Sequence, residues 1–422
     1  MIVSITIFFD LLILFWIAWW MHGKTSGSMR IVFWPALVLK LLAGLAVGWI
    51  YFYYYGHGDT ITYWNDGKLV AGKMISDPLK AMRFFWDDSF QWDGLINDKP
   101  RSLFFVKISG LLAFVGGGNY WMMSLIISFI SFLGAWYLCL KTTRFFPEAR
   151  RAVVVAFLFY PSVIFWSSGL IKESLGLAAL YFLGSILLTI ISNKKIFVWE
   201  YMVALASLWI SWNLKYYWVG AFMPVAITTI LVIFVKKLKP ALVKYELSMW
   251  IVLFILLLSI ATSVHPNFYP NRFLEVIVAN NQEFMALTDQ ENAILYQNLN
   301  PSLKSVLVNM PQALISGIFR PFVWEAHNVI SFAAGLENFV LALLVLSSIP
   351  SVPKIFKSPD RLLVLAMLAY IIILAIFLSL STPNLGTLSR YKVGFLPFLV
   401  FLLVFQNQWI VRFFVRKKIT VQ

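Results

Sequence analysis

Stretches of about twenty consecutive apolar residues, the length a helix needs to cross the hydrocarbon of a bilayer, recur along this 422-residue chain from one end to the other. They fall at about 2–20, 31–54, 119–140, 152–168, 171–192, 198–213, 217–235, 246–264, 327–350, 361–381 and 392–412. Lipid offers no hydrogen bonds to a backbone, so an apolar run of that length has to pair its own N–H and C=O groups, as a helix does. The chain therefore reads as an all-α polytopic membrane protein, a single transmembrane domain over 1–422 with about 11 spans. Two stretches, 152–168 and 198–213, are short enough for a hairpin that does not fully cross, which widens the range to 9–13. With 60% hydrophobic and only 13% charged residues, no soluble domain is left over. The first stretch lacks a basic lead-in and a small-residue cleavage site, so it reads as a retained span and not a signal peptide.

Charge settles the expected sidedness. The net charge is +15, but no basic helix or glycine-aromatic RNA motif accompanies it, so the chain is not expected to bind nucleic acid. Basic residues gather instead in alternate connections: Lys24 and Arg30; Lys141, Arg144, Arg150 and Arg151; Lys194 and Lys195; Lys236, Lys237, Lys239 and Lys244; Lys354, Lys357 and Arg361; and the tail from Arg412 to Lys418. Lysine and arginine near span ends stay on the cytoplasmic side. This pattern closes only if 103–117, interrupted by Lys107 and Gly110, is an interfacial or re-entrant helix on the outer side. The expectation is a multi-pass protein of a bacterial inner (cytoplasmic) membrane, N-terminus outside and C-terminus cytoplasmic. Two large outer loops then cover 55–118 and 265–326, with a short outer turn at 381–390. The cytoplasmic connections are too short for a nucleotide site, and neither GxxxxGK[ST] nor GxGxxG occurs. The lone Cys139 sits in an apolar run, which rules out a disulfide framework.

Four patches carry residues suited to chemistry. In YGHGDTITYWND, Asp59 and Asp66 are seven residues apart, two helical turns, so on a helix both carboxylates share one face. His57 lies beside two glycines that suit a tight turn, and Tyr63 and Trp64 offer aromatic faces. Further along the loop, Asp87 and Asp88 stand among Trp86, Phe90 and Trp92. Such carboxylates bind a divalent cation through oxygen, or divide base and electrostatic roles; a solvated loop is the plain alternative. In FYPSVIFWSSGLIKESLGL, Pro161 interrupts an apolar segment and Lys172-Glu173 stands where the chain re-enters the membrane, a costly place for charge. ISGIFRPFVWEAHN brings Arg320, Glu325 and His327 among aromatics. LSRYKVGFLP places Arg390 and Lys392 outside, against the charge rule, and arginine suits a lipid phosphate through its paired donors.

Taken together, an acid opening the first outer loop, the interfacial helix in that loop, PSVIFWSSGLIKE, RPFVWE and RYKVGFLPF resemble the GT-C superfamily of bacterial membrane glycosyltransferases, and most nearly the protein-mannosyltransferase and aminoarabinose-transferase-like group. The resemblance implies a GT-C-like fold and transfer of a sugar from a polyprenyl-phosphate donor to a glycan, lipid or protein acceptor at the outer face. It makes Asp59 the general base. It makes Arg390 similar in position to a basic residue near donor phosphate, and leaves Asp66, Asp87 or Asp88 as the acid associated with metal or donor phosphate, with Mg or Mn as the cation. The residues themselves add Lys172, Arg320, Tyr63, Trp64 and Glu173 to the expected substrate-binding set. Membrane lipids are the remaining partners. A purely structural subunit of an envelope complex is one alternative, and two more stay open. One is an O-antigen-type envelope polysaccharide polymerase, which would rely on arginines in two outer loops. The other is a transporter or flippase for lipid-linked or anionic cargo, for which Asp10 and Lys40 are the charges found well inside spans.

Overall fold

The computed structural model describes residues 2–87, 89–90, 92–264, 269–405 and 407. Among them the chain is helical and contains no strand, only an isolated bridge between Ala293 and Asn384. Helices α1 (Ile2–Lys24) and α2 (Met29–Trp49) come first, and α2 runs on through a π-turn at Ile50–Tyr55. Gly56 then adopts φ 72° and Gly58 φ 134°, left-handed values that L side chains resist, and a Cβ on Gly58 would strike the Tyr51 ring. That turn launches α3 (Asp59–Ser76), whose first residue is the acid that the positive end of a helix dipole favours. Asp77 caps α4 (Pro78–Trp86) by accepting from Lys80 N at 3.2 Å, with Pro78 at the first helical position. Next are α5 (Pro100–Val115) and α6 (Tyr120–Phe145).

The stretch 152–168 is broken. It comprises α7 (Arg150–Val154), a π-turn at Val155–Phe159, and α8 (Pro161–Trp166). Tyr160 is extended, ψ 121°, as the residue before a proline prefers. Helix α9 (Lys172–Ile191) follows, then α10 (Val198–Leu238), in which Lys215 leaves helical geometry at φ −143°, ψ 58°. The remaining elements are α11 (Glu246–Val264), α12 (Pro270–Ala286), α13 (Leu303–Phe319), α14 (Val329–Ser348), the single turn α15 (Val352–Ile355), α16 (Arg361–Ser381), α17 (Leu385–Tyr391) and α18 (Leu396–Phe405).

Among the described residues, eight helices are long and apolar enough to span, or nine if the segments Leu385–Gly394 and Leu396–Phe405, bent by 64°, form one. The protein is an all-α polytopic membrane protein. Of the eleven apolar stretches, 198–213 and 217–235 are two helical segments that meet at the kink at Lys215 and count once here, 152–168 is divided by Pro161, and 392–412 begins with a bend. Helix α5, expected at the interface, has 16 residues, about 24 Å at 1.5 Å each, short of the hydrocarbon thickness.

The helices sort into two compact units. Unit 1 takes the chain to Arg144, with Val163–Ile186 and Ile196–Tyr216. Its tightest pair is α3 with α5, made close by two glycines: a Cβ on Gly67 would meet Ser109 O at 2.8 Å, and one on Gly110 would meet Val70 at 2.4 Å. Tyr63, Phe84, Phe105, Met123 and Leu170 bury the core around this pair. Unit 2 takes Phe145–Ser162, Leu187–Lys195 and the chain from Tyr217. In it α13 packs on α16 where Gly317 meets the Ala375 backbone, and the loop around Tyr296 lies on the end of α16. Ile294 N donates to Pro383 O at 2.7 Å and Asn281 to Leu380 O at 2.7 Å. The expected second outer loop and the turn 381–390 thus share one end of unit 2.

Candidate functional site

The first patch forms a helix, so Asp59, Tyr63 and Asp66 do share a face. They fare differently along it. Asp59 is exposed at the start of α3, and its backbone carbonyl accepts from Thr62 Oγ1 at 2.9 Å. Tyr63, one turn on, is buried against α5. Its hydroxyl reaches Ser102 Oγ at 3.4 Å, and the same oxygen accepts from Lys172 Nζ at 2.9 Å. The Lys172 ammonium lies 5.3 Å from the centre of the Tyr63 ring, and Arg101 lies 5.2 Å from that of Tyr216. Three remote segments, 59–63, 101–102 and 172, thereby meet within unit 1.

Beneath them, Glu173 accepts from Lys215 Nζ at 2.6 Å, and the two side chains are only 2% and 4% exposed. The pair joins the first turn of α9 to the break in α10, which explains why a helix interrupted at a lysine is stable there: the charge meets its opposite in the interior. The turn 167–171 is held just as firmly. Lys40 Nζ donates to Ser167 O at 2.6 Å and to its hydroxyl, supplying a cation to the carbonyls left open where α8 ends. Gly169 N donates to Ser128 Oγ at 2.8 Å, and Ser124 Oγ to Gly44 O at 2.9 Å. Gly44 is near the middle of the helical stretch Met29–Tyr55, so this turn sits within the helix bundle and not at its edge. Lys40, considered as a transport residue, is engaged in holding it.

Asp66 is buried and accepts from Ile96 N at 2.9 Å, Asn97 N at 3.0 Å and Asn97 Nδ2 at 2.7 Å, tying the loop after α4 to α3. Asp87 accepts from Ser89 and pairs with Arg83 at 3.1 Å; these donors hold its carboxyl below the usual carboxylate range. Asp88 lies outside the described residues. Among the described residues no three His, Cys, Asp or Glu side chains converge as metal ligands. Asp66 has its oxygens committed to N–H donors and Asp87 sits on a different segment, so these two carboxylates do not by themselves hold a divalent cation. His57 is exposed, its Nδ1 2.7 Å from Tyr55 O.

Trp64 points to another side of α3, donating to Gly118 O at 2.9 Å. In unit 2, Arg320 forms a two-pronged pair with Glu325, whose Oε2 also accepts from Phe322 N at 2.8 Å. Phe322 and Trp324 stack at 4.8 Å. Arg390 stands in the last turn of α17, 5.3 Å from the centre of the Tyr391 ring. Lys392 is buried: it donates to Asn338 Oδ1, with Ile318 O at 3.5 Å and Arg320 O at 3.4 Å. The RPFVWE and SRYK patches therefore meet at Lys392, and one of the two charges that broke the sidedness rule is explained by carbonyls at the end of α13. The four basic and acidic leads divide between the units, Asp59 and Lys172 in unit 1, Arg320 and Arg390 in unit 2.

Sequence reasoning passed over Ser102, Lys215 and Glu337. Glu337 lies inside α14 and accepts from Ser162 N at 2.9 Å and from its hydroxyl, capping α8. For Lys215 and Glu337 the available signal was a solitary charge in an apolar run; Ser102 carried none. No family model, curated protein or solved structure matches this chain.

Proposed function

We propose that the protein is a membrane glycosyltransferase that moves a sugar from a polyprenyl-phosphate donor to an envelope acceptor at the outer face of a bacterial inner membrane, with its N-terminus outside. The observation that carries the reading is the meeting of Lys172, Ser102 and Tyr63 one helical turn from Asp59. A carboxylate exposed at a helix start and an ammonium held across the adjacent turn match the two needs of the reaction, a base for the acceptor and a cation for the departing phosphate. Asp59 takes the proton of the acceptor hydroxyl as its oxygen bonds to the anomeric carbon. The bond from that carbon to the phosphate oxygen breaks, and polyprenyl phosphate leaves with the electron pair beside Lys172 and Arg101. Arg320 and Arg390 belong to the other unit; Arg320 is assigned to the donor or acceptor from the aromatics around it, and Arg390 also through the resemblance.

The test is Asp59→Asn. Membranes carrying this variant, expressed at the wild-type level, lose glycosyl transfer from labelled polyprenyl-phosphate sugars; transfer retained at the wild-type rate refutes the assignment. A polymerase is distinguished by tolerating Asp59→Asn while failing on loss of Arg320 or Arg390. The transporter reading draws on a different observation, the charges buried at interrupted helices, Glu173 with Lys215 and Lys392 with Asn338. It predicts counterflow of an anionic cargo in vesicles, with no glycan product.

A further inference from the structure

Trp64 and Lys68 stand four residues apart on α3, on the face turned from the Asp59–Tyr63 stripe. The Lys68 ammonium sits 3.5 Å from the centre of the Trp64 ring, its stem beside Gly118. No acidic side chain among the described residues pairs with it. Around Trp64 opens a cleft of about 380 Å³, lined by Phe52, Tyr53, Asn119, Tyr120 and Trp121 and floored by Gly117 and Gly118. Those glycines take φ 60° and 71°, which turns the chain sharply into α6. The 26-residue helix α6 starts inside the cleft, where Asn119 Oδ1 accepts from Met122 N at 3.1 Å. Beside the cleft, and sharing Trp121 with it, runs a groove of about 510 Å³ lined by Leu45, Ala46, Trp49 and Leu125. Both walls of the groove belong to long apolar helices, α2 and α6.

The two spaces differ in chemistry in a way that specifies a ligand. The first has the start of a long helix and five aromatic faces, with the Lys68 cation held against its Trp64 wall; the second is apolar. A water-soluble phosphate would use the first and leave the second bare, and a hydrocarbon would do the reverse. We propose that the cleft and groove together hold one membrane lipid whose phosphate headgroup carries a net negative charge. The phosphate lies at Lys68 and the start of α6, the polar neck lies against Trp64 and Tyr53, and the chain descends past Trp49, Trp121 and Leu125. This site is independent of the glycosyl-transfer reading, since it is defined by binding alone.

The full-length protein in phosphatidylcholine nanodiscs is irradiated with a phosphatidylglycerol probe carrying a diazirine on its acyl chain, and the adducts are mapped by peptide mass spectrometry. Adducts are expected at 45–49 and 121–125, competed by unlabelled phosphatidylglycerol. Lys68 is exposed, so Lys68→Gln leaves the fold intact. It should cut the adducts about fivefold, the effect of removing one surface cation near an anionic lipid, while Lys68→Arg retains them and Trp121→Ala loses them. Equal labelling by a phosphatidylcholine probe overturns the proposal, as does unchanged labelling of Lys68→Gln. Competition by glycerol phosphate as effective as by the lipid also overturns it, in favour of a soluble ligand. An active Asp59→Asn variant would refute the transferase reading and leave these results unaffected.

Discussion

Replacing Lys215 by Met tests whether the buried pair beneath Lys172 fixes the site. At 2.6 Å and an effective dielectric of about 20, the attraction between the two charges is about 6 kcal/mol. Most of that is offset by the cost of taking both ions out of water, so the pair adds little net stability over a well-packed apolar pair. Removing one partner is different. It takes the ammonium away from a carboxylate with 2% exposure, and breaking a buried ion pair by removing one partner costs about 3–5 kcal/mol. Glu173→Gln should cost somewhat less, because the amide can still accept from Lys215. The double variant should recover part of the loss, giving a coupling of about 2 kcal/mol within the range found for interacting residues. The measurement is a double-mutant cycle on unfolding free energy in mixed micelles, followed by tryptophan fluorescence. Single variants within about 0.5 kcal/mol of wild type, or additive losses, would refute the reasoning. Because the pair anchors the first turn of α9, Lys215→Met should also weaken whatever Lys172 binds, by displacing it and without touching it.

Two further outcomes follow from packing and charge elsewhere. Gly134→Ala should destabilise unit 1 by about 1–3 kcal/mol, because the new Cβ would sit 2.7 Å from the Ala178 backbone and push α6 from α9; wild-type thermal stability in detergent would contradict this. Hydrogen bonds from Lys80 to Asp77 and from Ser89 and Arg83 to Asp87 depress both carboxyls below the free value of 3.8. Their contribution is therefore present above that value and lost as pH falls through the lowered ones, so amide protection of α4 should fall on acidification below pH 3.8 and stay flat between pH 5 and 7.

Much of the candidate site was legible because local rules governed it. Asp59 sits at a helix start behind two glycines, and the seven-residue spacing to Asp66 does place both on one face. What spacing left open was how deeply each would be buried. Asp66 turned inward to satisfy the amides of Ile96 and Asn97, about thirty residues away, and that partnership depends on how the loop after α4 folds back. The same holds for Lys392, whose charge against the sidedness rule suggested an anionic ligand until α13 and α14 supplied its acceptors.

Hydrophobic length alone determined that this chain lives in a membrane as a bundle of helices, because a backbone in hydrocarbon has no other partner than itself. It also marked the interruptions, at Pro161 and at the 167–169 turn, as places where charge or backbone polarity had to be met. Only tertiary structure decided by what: Lys40 for the carbonyls of the turn, Glu337 for the start of α8, Glu173 for Lys215. Those partners lie 42 to 175 residues apart in sequence. A buried polar group demands satisfaction wherever it is, but the identity of the group that satisfies it is fixed only when distant helices pack.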